Sequence, residues 1–228
     1  MQLLYAIMLM MKLARIHRKT EPIWHVQLAI GIAIAVQLFL NKDYVVGPRN
    51  ILAGLELLLL IAVSLPARVS NKHHNRQVIR RFLSLVLLAM ITVTNIVSLI
   101  LVSHALINGS TSGHDLIISA LIIFATNIIV FGLLYWEIDE DTADGKPDEK
   151  RDFIFPQQTL PPAVTKQFAW NPTFFDYLYV SITNATAFSP TDAYPITYRA
   201  KLLMTIQALA SLATIALVAA RAVATLSS

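Results

Sequence analysis

Residues Leu116-Ile-Ile-Ser-Ala-Leu-Ile-Ile-Phe-Ala-Thr-Asn-Ile-Ile-Val-Phe-Gly-Leu-Leu-Tyr-Trp136 run for 21 positions without a charged side chain. The hydrocarbon core of a bilayer, about 30 Å thick, takes roughly 20 apolar residues in helical form. This stretch therefore predicts a membrane-spanning helix. Four more runs are predominantly apolar: residues 23–40, 51–65 (with Glu56 inside it, closed by Pro66), 82–102 and about 200–220. Trp24, Tyr44, Tyr135 and Trp136 lie at the ends of these runs, where amphipathic rings favour the headgroup layer. The expected fold class is an all-α integral membrane protein with five transmembrane helices.

The composition agrees with that reading. Hydrophobic residues make up 56% of the 228-residue chain and charged residues only 14%, against about 25% in a soluble domain. The formal net charge of +4 would suit nucleic acid only if the basic residues gathered on one face. They sit instead in loops beside apolar runs, the habit of membrane proteins. With no cysteine, disulfides and thiolate chemistry are excluded. Residues 1–11 are apolar but too short to span, and Lys12, Arg15, Arg18 and Lys19 follow rather than precede them. That order does not fit a cleaved signal peptide, and residues 1–20 read as an amphipathic interfacial helix.

A four-helix membrane region (21–136) is expected next, then a polar loop (137–172) whose first half is acidic and whose second half is proline-rich. Eight of the fourteen acids fall between Glu137 and Asp152. Lysine and arginine crowd the N-terminal segment and the second loop (Arg68, Lys72, Arg76, Arg80, Arg81), which puts the N-terminus inside by the positive-inside rule. A multi-pass protein of the plasma membrane, such as a bacterial inner membrane, is the expected setting, with the lipid bilayer as first partner.

The final segment, 173–228, carries the specific information. Thr173 to Phe188 is aromatic-rich and too short to span; a polar stretch, Ser189 to Thr197, leads into the last apolar run. A short helix, a loop, a polar exit and an apolar helix make the layout of a re-entrant pore hairpin. Backbone of that kind survives at membrane depth only where protein or a water-filled cavity surrounds it. Asp176-Tyr-Leu-Tyr-Val-Ser181, Thr186-Ala-Phe-Ser-Pro-Thr-Asp192 and Ala193-Tyr-Pro-Ile-Thr197 resemble, in order, the pore helix, filter and exit of the potassium-channel pore family. The resemblance covers about fifty residues. It implies a tetramer around a pore, with Thr186, Ala187, Phe188, Ser189, Pro190, Thr191 and Asp192 at the filter position. The overall layout also resembles small bacterial integral membrane proteins of uncharacterised function.

One departure decides what such a pore would pass. Potassium filters rely on glycines to turn successive carbonyls inward, but Ser189 and Thr191 stand at those positions with Pro190 between them. Proline fixes φ and has no N–H to anchor the loop. A ring of hydroxyls with Asp192 would suit hydrated cations instead. The alternative reading is that Ser189-Pro-Thr-Asp192 starts a short helix, with serine as cap and proline in the first turn. Entry from the cytoplasm, which the basic loops imply, is inverted relative to potassium channels.

Other positions invite attention. Glu56 is an ionisable residue inside the second run, a functional candidate by default unless it snorkels or pairs with Arg49. Gln37, Asn95, Asn127 and Gln207 can bond between helices; Gln207, Ala216 and Ala220 are also candidates to line or gate a pore. His73-His74 would point apart on any regular element, so a lipid-facing basic loop is the expectation there and no metal site. No catalytic set or cofactor motif appears, so an enzyme is not expected. The functional expectation is a homotetrameric pore for inorganic cations, against a non-conducting partner-binding membrane protein or a small-solute transporter using Glu56.

Overall fold

The computed structural model describes residues 24–40, 44–45, 54, 56–58, 60–61, 73–108, 113–143, 151–159, 172–186 and 193–226. The interfacial segment 1–20, the loop residues Lys42, Asp43, Arg49, Arg68 and Lys72, and the filter-position residues Ala187 to Asp192 lie outside them. Helices are α1 (Trp24–Gln37), α2 (His73–Asn108), α3 (Gly113–Ala143), α4 (Pro156–Thr159), α5 (Phe174–Ala185) and α6 (Tyr198–Leu226). Two short strands, β1 (Phe153–Ile154) and β2 (Tyr194–Pro195), pair antiparallel, with Phe153 opposite Pro195 and Ile154 opposite Tyr194.

Three helices are long and apolar enough to cross a membrane: Phe82–Asn108 within α2, Gly113–Asp139 within α3 and Tyr198–Val223 within α6. They coincide with three of the five runs read from sequence. The first run differs. Its helix α1 has 14 residues, about 21 Å at 1.5 Å per residue, and ends in a tightened turn where Phe39 and Leu40 donate to the carbonyls of Val36 and Gln37. Of the second run, residues 54, 56–58 and 60–61 are helical and the remainder lie outside the described residues.

α3 is the central element. Of its apolar window 56% is buried, against 22% for α6, because α1, α2, α5 and α6 all pack on it. Apolar side chains on every side suit a helix with neighbours all round. One core joins Ala29, Ile30, Ala33 and Ile34 of α1, Leu87, Leu88 and Ile91 of α2, and Val130 to Trp136 of α3 to Phe153, Phe174, Tyr177 and Met204. A second forms toward the other end of α3 around Leu99, Val102, Leu116 and Ile123. Asn95 joins α2 to α3 by donating to the Ile123 carbonyl at 3.1 Å.

The segment read as beginning a loop at 137 is still helical. α3 continues to Ala143, and Glu137 and Asp139 are buried. An acid-rich composition suggests solvent, but Asp139 finds its hydrogen-bond donors inside the protein.

Gly132 sets the separation of α3 and α5. A Cβ there would stand 3.1 Å from the Leu178 Cα, and backbone has no rotamer through which to withdraw. Gly132→Val should separate the two helices at a cost of about 1–3 kcal/mol, read as a lowered melting temperature of the purified protein in detergent. A neutral substitution would mean that α5 is not seated there.

Candidate functional site: the hairpin between α3 and α6

α5 starts because Asp176 closes its first turn. The Asp176 carboxylate accepts from the Thr173 backbone N–H at 2.6 Å and from the Thr173 hydroxyl at 2.9 Å, and an acid in the first turn also suits the helix dipole. The helix ends at Thr186, whose N–H and hydroxyl both donate to the Ile182 carbonyl, at 3.0 and 2.9 Å. Its 12 residues span about 18 Å.

α5 buries Phe174, Tyr177, Val180, Ser181 and Ala185. Phe175, Tyr179 and Ile182 stay exposed on its other side. Its direction is fixed by two contacts with α3. Tyr177 donates to Asp139 at 2.5 Å, and one turn later Ser181 donates to the Ile128 carbonyl at 2.6 Å. With the Leu178 backbone against Gly132, Ser181 beside Ile128 and the Tyr177 side chain reaching back to Asp139, α5 runs antiparallel along α3, advancing about 6 Å between Tyr177 and Ser181. By residues 194–197 the chain is back at the starting level, since Ile196 N–H donates to the Asp152 carbonyl at 2.8 Å.

Two polar clusters hold this excursion. At its deep end Gln207 of α6, fully buried, donates to the Ser181 hydroxyl at 2.6 Å and to its carbonyl at 3.0 Å. Its side-chain oxygen accepts from Tyr135 and, at 2.8 Å, from Asn184. Asn184 also donates to the Met204 carbonyl, and Asn127 donates to Ser211 at 2.8 Å. Gln207 is therefore placed in the interior of the chain, between α3, α5 and α6. Asn95 and Asn127 join helices as their residue type suggests.

At the shallow end two buried acids gather the chain beyond α3. Asp139 accepts from the backbone N–H groups of Asp152 and Phe153, at 2.7 and 3.1 Å, as well as from Tyr177. Burial first, and the Asp139 carboxylate second, raise the Tyr177 hydroxyl above the usual tyrosine range, so it stays a donor. Asp152, fully buried, receives Arg199 in a two-nitrogen fork: Nε at 2.7 Å and Nη2 at 2.5 Å. It also receives the Thr197 hydroxyl. Around them Phe153 packs on Tyr135 and Tyr177, with ring centres 5.3 and 6.0 Å apart.

Of the residues singled out from sequence, Thr186 caps α5, while Ala187, Phe188, Ser189, Pro190, Thr191 and Asp192 fall outside the described residues. Ala216 and Ala220 are exposed on α6, and Glu56 is buried. Asp139, Asp152, Arg199, Tyr177 and Asn184 carry the site without having been singled out, together with Ser181 of the pore-helix motif. One signal was available: Phe153-Ile-Phe155 is an apolar triplet inside the acidic stretch, a mark of burial beside Asp152. Among the described residues no three His, Asp or Glu side chains gather as a metal site would require.

Comparison with known proteins found no matching family model, curated protein or solved structure.

The two halves of the ion pair should respond unequally to truncation. Arg199→Ala leaves a fully buried carboxylate short of its counter-charge, whereas Asp152→Ala leaves a guanidinium that is already half exposed (49%) and able to hydrate. Arg199→Ala should therefore cost more, toward the low end of the roughly 3–5 kcal/mol for breaking a buried pair. Removing both should recover part of that loss. Detergent melting curves of the three variants check the order. Gln207→Leu should cost about 1–3 kcal/mol per polar group left unpaired in the same assay.

Proposed function

We propose that this chain is an ion-channel-like multi-pass protein of the plasma membrane, assembled as a homotetramer around a pore for hydrated cations. In this reading α3 is the outer helix, α5 the pore helix and α6 the inner helix. The run at 51–65 and α1 complete the five-span layout. The observation that carries the proposal is the excursion of residues 174–197. A helix too short to cross enters beside α3, stops at Thr186, and the chain returns to its starting level before α6 crosses. In this reading Ala187 to Asp192 are the filter residues.

Two further features support the reading. Asp176 and Ser181, which match the pore-helix pattern, respectively cap α5 and tie it to α3. On the side away from α3, Phe175, Tyr179 and Ile182 of α5 and Leu202, Leu209 and Leu212 of α6 remain exposed, leaving a face for other copies. The second reading, a non-conducting partner-binding protein that keeps the hairpin, is favoured by one observation. Gln207, Ser211 and Thr214, polar residues in the body of α6, are turned into the subunit.

Reconstitution into planar bilayers with single-channel recording tests the proposal. Cation-selective openings are expected, and Asp192→Asn should lower the preference for cations over anions severalfold without dissociating the tetramer. Silence in every alkali and alkaline-earth chloride, or a monomer in mild detergent, would favour the second reading.

A further inference from the structure

The chain enters α6 through an extended stretch whose two sides differ. Alternate residues of a strand point to opposite sides. On one side Ala193 is buried and Thr197 turns its hydroxyl onto Asp152. On the other Tyr194 and Ile196 are exposed, and Tyr198, which opens the helix, is 92% exposed. The pairing of β2 with β1 and the bond from the Ile196 N–H to the Asp152 carbonyl hold the stretch in place. A fixed backbone thus presents Tyr194, Ile196 and Tyr198 outward at the level where the spanning segment of α6 begins.

The charges at this corner are sorted by sign. The first turn of α6 contains Arg199 and Lys201 and no acid, although the partial positive charge of a helix N-terminus favours acids there and disfavours bases. Asp152 answers Arg199, whose guanidinium is nonetheless half exposed. Lys201 is exposed as well. Of the described acids at this end, Glu137, Asp139 and Asp152 are buried, and Asp176 is engaged in capping α5. The corner therefore turns outward two phenols, an isoleucine and two cationic groups.

We propose that this corner binds the headgroup of an anionic phospholipid. Lys201 and the outward part of the Arg199 guanidinium take the phosphate, the rings of Tyr194 and Tyr198 lie among the headgroups, and Ile196 meets the first methylenes of the acyl chain. Tyrosine suits that layer because its ring is apolar and its hydroxyl polar. A lysine at the end of a spanning helix can keep its stem on apolar surface and its ammonium among phosphates. The basic loops put this face inside, and the inner leaflet carries a negative surface potential that attracts basic residues beside a spanning helix. A phosphate here also offsets the positive charge that two bases add to a helix N-terminus. Position favours lipid over a second copy of the chain, since the start of a spanning segment lies at headgroup level. The assignment rests on α6 crossing the membrane and not on conduction.

Native mass spectrometry of the full-length protein, released from nanodiscs of phosphatidylglycerol and phosphatidylcholine in equal amounts, tests the site. The unsubstituted protein is expected to retain phosphatidylglycerol in preference. Lys201→Gln should lower that preference about fivefold, the weight of one basic residue near an anionic surface, with retention of phosphatidylcholine unchanged. A second readout needs no change of charge. The chain has no cysteine, so a nitroxide on Tyr198→Cys reports depth in the same nanodiscs, and it is expected at the phosphate layer. Equal retention of the two lipids by the unsubstituted protein, an unchanged preference in Lys201→Gln, or a nitroxide in bulk water would each overturn the proposal. A smaller assembly in Lys201→Gln with its lipid preference intact would also overturn it, by assigning the corner to contact between copies. Silence in bilayer recordings bears on the pore reading alone.

Discussion

Gln207 brings two N–H donors and an oxygen with two lone pairs into the interior, and all four are used. The donors go to the hydroxyl and carbonyl of Ser181, and the oxygen accepts from Tyr135 and Asn184. In apolar surroundings each unmet valence would cost the desolvation of that group. Full satisfaction therefore constrains three helices at once. Rotating α5 carries Ser181 or Asn184 out of reach, and sliding α6 by a turn replaces Gln207 with Leu203 or Ser211. Leucine–leucine contact between helices in lipid would tolerate either motion, because lipid tails are as apolar as the contact they replace. The depth to which α5 reaches is thus set by hydrogen bonds, and packing around Gly132 follows from it.

The shallow end is held by charge. A two-stranded pair of two residues each has no stability of its own, so β1 and β2 exist here because Asp139 gathers the N–H groups that open β1 and Asp152 anchors the residues that close β2. The fork between Asp152 and Arg199 is asymmetric: the acid is enclosed and the guanidinium half in water. That asymmetry suits the end of a spanning helix, where a long basic side chain can keep its head hydrated and its stem on apolar surface. Together the two clusters tether α5 and the start of α6 to α3 at both levels.

Much of this fold was legible because hydrophobic length is read one residue at a time. The runs at 82–102, 116–136 and 200–220 became α2, α3 and α6 with only their ends displaced. Asn95 and Asn127 were also legible, since an amide inside an apolar helix must find a partner. What escaped the sequence depends on relations between distant residues. Asp139 and Asp152 sit in the most acid-rich stretch of the chain, and composition sends such a stretch to water. Only the folded arrangement shows backbone amides, a tyrosine, a threonine and an arginine converging on those two acids. The same limit applies to Gln207, for which a one-dimensional reading allows both a pore-facing and a helix-joining role. Rotation of α6 decides between them, and nothing local in the sequence encodes it.

That rotation also limits what a pore built from this chain could do. With Gln207, Ser211 and Thr214 turned toward the interior of the chain, the exposed residues of α6 include Lys201, Leu202, Thr205, Leu209, Leu212, Ile215, Ala216 and Ala220. Between Lys201 and Ala220 the one exposed hydroxyl on that helix is Thr205, already donating to the Lys201 carbonyl, too little oxygen to replace the hydration shell of an ion. A cation beside it must keep its water or meet a desolvation cost that aliphatic groups cannot offset. The small side chains of Ala216 and Ala220 leave room for hydrated passage in the half of the helix where four copies would converge. In the proposed pore, attraction for cations would then have to come from elsewhere, and the hydroxyls and carboxylate of residues 189–192 are the proposed source. In that proposal the glycine-free stretch at 189–191 and the largely aliphatic exposed face of α6 would lead independently to the same size class. Neither provides the oxygen cage that a dehydrated ion needs, so a conducting form of this protein would select by charge and width rather than by stripping water.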